Sequence, residues 1–178
     1  MYDKNRKDTR YNPPGNQNRG PAKPGFQHGK SEAKKTAAQL LKEVTPVCQS
    51  LSKEYGSKPE IFLESGYLYE TASQLKNLTT HQLRKVLDVT KEALAIARSG
   101  KKFTEAQKRL FILLPMMAYN TGRAPKEKKD DYQKLLEFVY KNINEDSIQA
   151  TEDIITFDQM ITSVVAYHKF LGGKVNAK

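Results

Sequence analysis

The chain has 178 residues, room for one domain and a tail rather than two. Thirty Lys and Arg against twenty Asp and Glu give a formal net charge of +10, and 38% of the residues are hydrophobic. A lone cysteine excludes an internal disulfide framework and a multi-thiolate zinc site. No run approaches the ~20 apolar residues of a membrane span, and no apolar segment follows the first charged residues, so a basic, soluble, cytoplasmic protein without a membrane partner is expected.

Residues 1–30 hold Lys4, Arg6, Lys7, Arg10, Arg19, Lys23 and Lys30 against Asp3 and Asp8, a net +5 that is half of the total. They also hold four of the eight prolines and four of the ten glycines, with Met1, Tyr2, Tyr11 and Phe26 as the only large apolar side chains. Such a stretch buries too little surface to offset its ordering entropy, which predicts a disordered tail. It serves either as a solubilising segment or as a basic arm that touches nucleic acid or a partner. Residues 31–178 keep the other +5 and are expected to form a single helical domain.

From Ser31 onward helical periodicity dominates. Ala37, Leu40, Leu41, Val44, Cys48, Leu51 and Tyr55 trace one apolar stripe over 31–55, with Pro46 imposing a kink or a split into two helices. A short helix is expected within 60–77, interrupted at Gly66. Thr79 with Gln82, Thr104 with Gln107, and Thr156 with Gln159 each fit a capping box and predict three helix starts. Between the last two, a helix runs over 126–143. The final helix is expected over 157–170, stopping at Gly172-Gly173. The Thr104 helix is apolar nearly all round from Phe111 to Ala118. It should therefore be the central helix, kinked at Pro115, with Met116 and Met117 as core filler. The expected fold is all-α, a compact bundle of five to six helices.

Catalytic chemistry is thinly supplied. His28, His81 and His168 share no metal-ligand spacing, and Cys48 on an apolar stripe reads as a buried thiol. Asp130-Asp131 and Glu152-Asp153 lie near helix starts, where carboxylates suit the dipole. No Gly-rich phosphate loop is present. No enzyme, no cofactor and no metal site is expected.

The positive charge is patterned instead. Arg84, Lys91 and Arg98 recur at heptad spacing and stay on one side of their helix, drifting by ~20° per step. Lys85 is adjacent, and Asp88 stands where it could pair with Arg84 or Lys91, as on any solvated helix. Lys101, Lys102, Lys108 and Arg109 follow, then Arg123 after Gly122, and Lys126, Lys128 and Lys129. If Arg84, Arg109 and Arg123 point the same way, they form a surface that grips phosphate without reading bases. Aromatic residues are few outside the apolar stripes, which argues against base stacking.

Two stretches carry a family resemblance. Leu78-Thr79-Thr80-His81-Gln82-Leu83-Arg84-Lys85 resembles the "LTTSQ-(I/L)-R-K" segment of the small subunit of type III-A CRISPR effector complexes, the Csm small subunit family. Lys108-Arg109-Leu110, followed by Leu114-Pro115, Ala118-Tyr119 and Gly122-Arg123, is similar to that family's central helix. The resemblance covers roughly 68–170. His81 departs from it, Ser being more usual there, and the Pro/Gly/Asn tail is no feature of the family.

The resemblance implies a non-catalytic RNA-binding subunit, several copies of which stack along the guide RNA–target RNA duplex beside the backbone and large subunits. By position it makes Arg84 and Arg123 the first candidates for RNA contact and Lys85, Lys108 and Arg109 the next. Lys91 from the heptad stripe and Lys128 beyond Arg123 complete the candidate set. The alternatives are the equivalent subunit of a type III-B complex and a helical protein–protein adaptor whose charge keeps it soluble.

Overall fold

A computed structural model of the chain describes residues 36–100 and 102–173. The tail over 1–30, with its expected disorder, lies outside the described residues, as do the first residues of the 31–55 stretch and Lys101. Among the described residues the fold is all-α, without strands. It comprises α1 (Ala37–Leu41), α2 (Leu51–Tyr55), a 3-10 turn (Pro59–Phe62), α3 (Tyr67–Ser73), α4 (Thr80–Arg98), α5 (Phe103–Phe111), α6 (Leu113–Arg123), α7 (Lys126–Asn142) and α8 (Thr151–Phe170). The six helices from α3 to α8 make up the expected bundle, and two single-turn helices precede them.

The stripe over 31–55 splits at Pro46, which cannot donate to a helix and disfavours helical backbone at the residue before it. Between α1 and α2 the chain leaves the helix, and Val47 donates its N–H to the Lys141 carbonyl at 2.9 Å while Asn144 donates to the Val47 carbonyl at 2.9 Å. Neighbouring side chains on such non-helical backbone turn to different sides, so Val47 is buried and Cys48 is exposed. The expectation of a buried thiol is thereby corrected. Gly66 caps α3, and a Cβ there would meet the Glu60 carbonyl oxygen at 2.4 Å.

Of the three expected capping boxes, only the first is formed. Thr79 accepts from the Gln82 N–H at 3.2 Å, and its own N–H donates to Gln82 Oε1 at 2.8 Å. A box not anticipated from the sequence, Thr36 with Gln39, starts α1. Thr104 lies inside α5, and Gln107 donates to the Ile148 carbonyl instead. Thr156 lies inside α8, bonding back to the Glu152 carbonyl, and α8 begins six residues earlier than the expected Phe157. Its first turn is held by Asp153, which accepts from the Gln149 and Ala150 N–H groups at 2.9 Å.

The central helix is α8, not the 104–123 stretch. It packs against α2, α3 and α4 and buries Ile154, Phe157, Met160, Ile161 and Val164. The apolar 104–123 stretch breaks at Ile112, because Pro115 has no N–H to return to Phe111, and the second part restarts with Pro115 in its first turn. Its inner side contributes Leu113 and Met117 to the core, with Met116 packed partly against it, while Ile112 and Tyr119 stay exposed. A file of rings, Tyr55–Tyr67–Phe138–Phe157, with centroids 5.9 to 6.3 Å apart, ties α2, α3, α7 and α8 together. α4 lies on α5, and α6 lies on α7.

Candidate nucleic-acid interface

The candidate cations sit on α4, α5, α6 and the start of α7. On α4, Leu83, Val86, Val89, Thr90, Ala93 and Leu94 form the buried side, and Arg84, Lys85 and Lys91 are exposed. Successive residues turn about 100° round a helix, so Arg84, Lys91 and Arg98 share one strip while Lys85 stands about 100° from Arg84. Asp88 pairs with none of them among the described residues. Lys91 reaches across to α8 instead, its Nζ lying 2.7 Å from Asp158 Oδ2.

Arg109 is also committed. It lies on α5, which packs along α4, and its Nε donates to Glu92 Oε2 at 2.7 Å while a terminal nitrogen closes on the same oxygen. Lys108, one residue earlier, is exposed. Among the described residues Arg84, Lys85 and Lys108 make no ion pair. Their charge is available to an outside anion, whereas that of Lys91 and Arg109 is largely answered within the fold.

Arg123 and Lys128 are brought together. The last turn of α6 and the first turns of α7 enclose a cleft of about 240 Å³, lined by Gln82, Tyr119, Asn120, Arg123, Lys128 and Tyr132, with Ala124 and Pro125 between the helices. Tyr119 and Arg123 are four apart on α6, and the guanidinium lies 5.2 Å from the ring centroid with Nη1 donating to the Tyr119 hydroxyl at 2.5 Å. On the far wall Gln82 Nε2 donates to the Tyr132 hydroxyl at 2.6 Å, and burial pushes the Tyr132 phenol above its ordinary pKa.

Gln82 is the α4 residue that reaches this cleft, and Arg84 follows two residues later, about 200° round the helix. The cleft is lined by Arg123 without Arg84 or Arg109. Arg123 and Lys128 share a cleft, Arg84 projects from another arc, and Arg109 is tied down. Lys85, about 60° from Gln82 on the wheel, is the α4 cation nearest the cleft side. Sequence reasoning missed Tyr119, which is 60% exposed and not part of any apolar stripe. The signal that could have found it is its four-residue spacing from Arg123.

The family model of Csm2 Type III-A matches residues 65–174. The chain belongs to that family. The match spans α3 to α8, close to the expected 68–170, and includes every candidate cation. This Csm2-family protein is thus a small subunit of a type III-A CRISPR effector complex, the first of the two complex types expected. No curated protein and no solved structure matches the chain. Among the described residues no group of three or more His, Cys, Asp or Glu could hold a metal ion, and no helix is long and apolar enough to cross a membrane.

Proposed function

We propose that this subunit is a non-catalytic, cytoplasmic RNA-binding protein that lies along the guide RNA–target RNA duplex. It holds the phosphate backbone with Arg84, Lys85, Lys108, Arg123 and Lys128, and touches the backbone and large subunits and further copies of itself. The observation that supports this best is the state of the cations. Arg84, Lys85 and Lys108 are exposed without a carboxylate partner, and Arg123 pairs with a ring and no carboxylate. An exposed cation left unpaired inside the fold breaks no internal ion pair on meeting a phosphate, and each such meeting releases counterions from the nucleic acid. Lys91 and Arg109 must first give up Asp158 and Glu92, so they contribute less.

Salt dependence of binding to the assembled guide–target complex tests the reading. Charge reversal at Arg84 or Arg123 should flatten the slope of log affinity against log salt by about 1 for each phosphate no longer neutralised. Reversal at Arg109 should change it less. A slope unchanged in all three variants would instead favour a protein–protein adaptor. Purified subunit is expected to show no nuclease activity.

A further inference from the structure

Tyr119 is a large aromatic ring left 60% exposed at the mouth of a cleft, with the Arg123 guanidinium carbon 5.2 Å from its centroid. The hydrogen bond from Arg123 to the Tyr119 hydroxyl sets the direction in which the side chain points, so less ordering is needed when something lands on the ring. Neither residue is used by the core, and the backbone-gripping role above asks only for the charge of Arg123.

The rest of the lining has the chemistry of a nucleotide site. Lys128 adds a second cation, and none of the lining residues is acidic. Two other clefts differ in this respect. One is lined by Glu70 and Glu137 together with Lys134 and Lys141, and the other includes Glu54; carboxylates there would oppose a phosphate. On the far wall, Gln82 spends one amide hydrogen on Tyr132 and keeps the other, and the Tyr132 hydroxyl accepts that bond and keeps its own proton to donate. Asn120 supplies a further amide. These are the groups that bond to the edges of a base. A volume of about 240 Å³ falls below the ~300 Å³ where drug-sized sites begin, which suits one ring system rather than a longer ligand.

We infer that this cleft receives a single unstacked RNA nucleotide, its base laid on Tyr119 beside Arg123 and its phosphate held between Arg123 and Lys128. The inference rests on the RNA-binding reading above and adds a site for an unpaired base to it. Paired bases within a duplex are stacked and closed to side chains, so the nucleotide must come from a bulge, a flipped position or a single-stranded flank.

The test uses the full chain at low salt and two RNA duplexes of equal length, one fully paired and one with a single unpaired adenosine. The bulged duplex should bind about tenfold or more tightly, the worth of one base on an aromatic platform. Tyr119→Ala should abolish that preference while the paired duplex still binds, and Tyr119→Phe, which keeps the flat ring and loses only the bond to Arg123, should retain most of it. Because the ring is exposed, neither change threatens the fold. Arg84→Glu should weaken both duplexes alike and keep the preference. Equal affinity of the unaltered protein for the two duplexes, or a preference that survives Tyr119→Ala, overturns the stacking site and leaves the backbone reading standing. Failure to bind either duplex overturns both.

Discussion

Ser50 donates its hydroxyl to the Asp153 carboxylate at 2.5 Å, joining residues 103 apart in the chain. The same carboxylate oxygen accepts the Ser52 N–H at 2.8 Å, and the other oxygen accepts the Gln149 and Ala150 N–H groups. One fully buried carboxylate therefore satisfies the opening turns of both α2 and α8. The family match begins after α2, so this carboxylate joins the preceding segment to the matched bundle, beside the Val47 bonds to Lys141 and Asn144.

Burial alone would raise the Asp153 pKa, but the hydrogen bonds from Ser50, Ser52 and Gln149 outweigh it and hold the group below its ordinary value. A depressed folded pKa gives stability that is complete above the unfolded carboxylate value of about 4 and lost as pH falls through the folded one. Asp153→Asn points an amide NH₂ at backbone donors, and we expect a loss of about 1–3 kcal/mol at pH 7. The gap between variant and parent should narrow as the pH is taken below 4. Denaturant unfolding at pH 7 and pH 3 measures both.

Gly173 and Gly122 should respond oppositely to alanine. A Cβ on Gly173 would fall 2.0 Å from Cε1 of the buried His168 ring, which is tied through Nε2 to the Leu75 carbonyl at 3.1 Å. Gly173→Ala is expected to cost about 1–3 kcal/mol through overpacking. Gly122 lies in α6 with nothing within 4 Å of an added Cβ, so Gly122→Ala should stabilise the free protein by about 0.5 kcal/mol. Thermal melts of the two variants should shift in opposite directions.

Lys91 and Arg84 share a strip of α4 but differ in what they answer. Asp158 is buried, and its Oδ1 has no hydrogen-bond partner, so Lys91 is its counter-charge. Lys91→Ala is expected to destabilise by about 1 kcal/mol, since a mostly buried carboxylate is left alone. Arg84→Ala should stay within about 0.5 kcal/mol of the parent. Equal stability of the two variants in denaturant unfolding would contradict the assigned pairing.

Cys48 should react in the native protein. Its thiol is exposed, bonded only to the Pro46 carbonyl at 3.4 Å. Titration with an aromatic disulfide reagent should consume one equivalent without denaturant, at a rate that barely rises on unfolding. A thiol silent until unfolding would place it back in the core.

The helices were legible where local chemistry decides. The Thr79–Gln82 box, the apolar spacing on α7 and the stop at Gly172, whose φ is +77°, all follow from neighbours within four residues. The cations were legible as a set. Their division was not, because the partners that claim Lys91 and Arg109 lie 67 and 17 residues away.

By itself the sequence determined an all-α, basic chain and the family-matched stretch that carries its cations, since periodicity, capping and motif order need no more than the order of residues. Only the tertiary structure decided which helix is central, which Thr caps and which arginines are free. The Thr104 and Thr156 boxes were present in sequence but fell inside helices that packing had already extended past them. An ion pair, a cleft or a shared carboxylate is a meeting of distant segments, and the fold alone sets those distances.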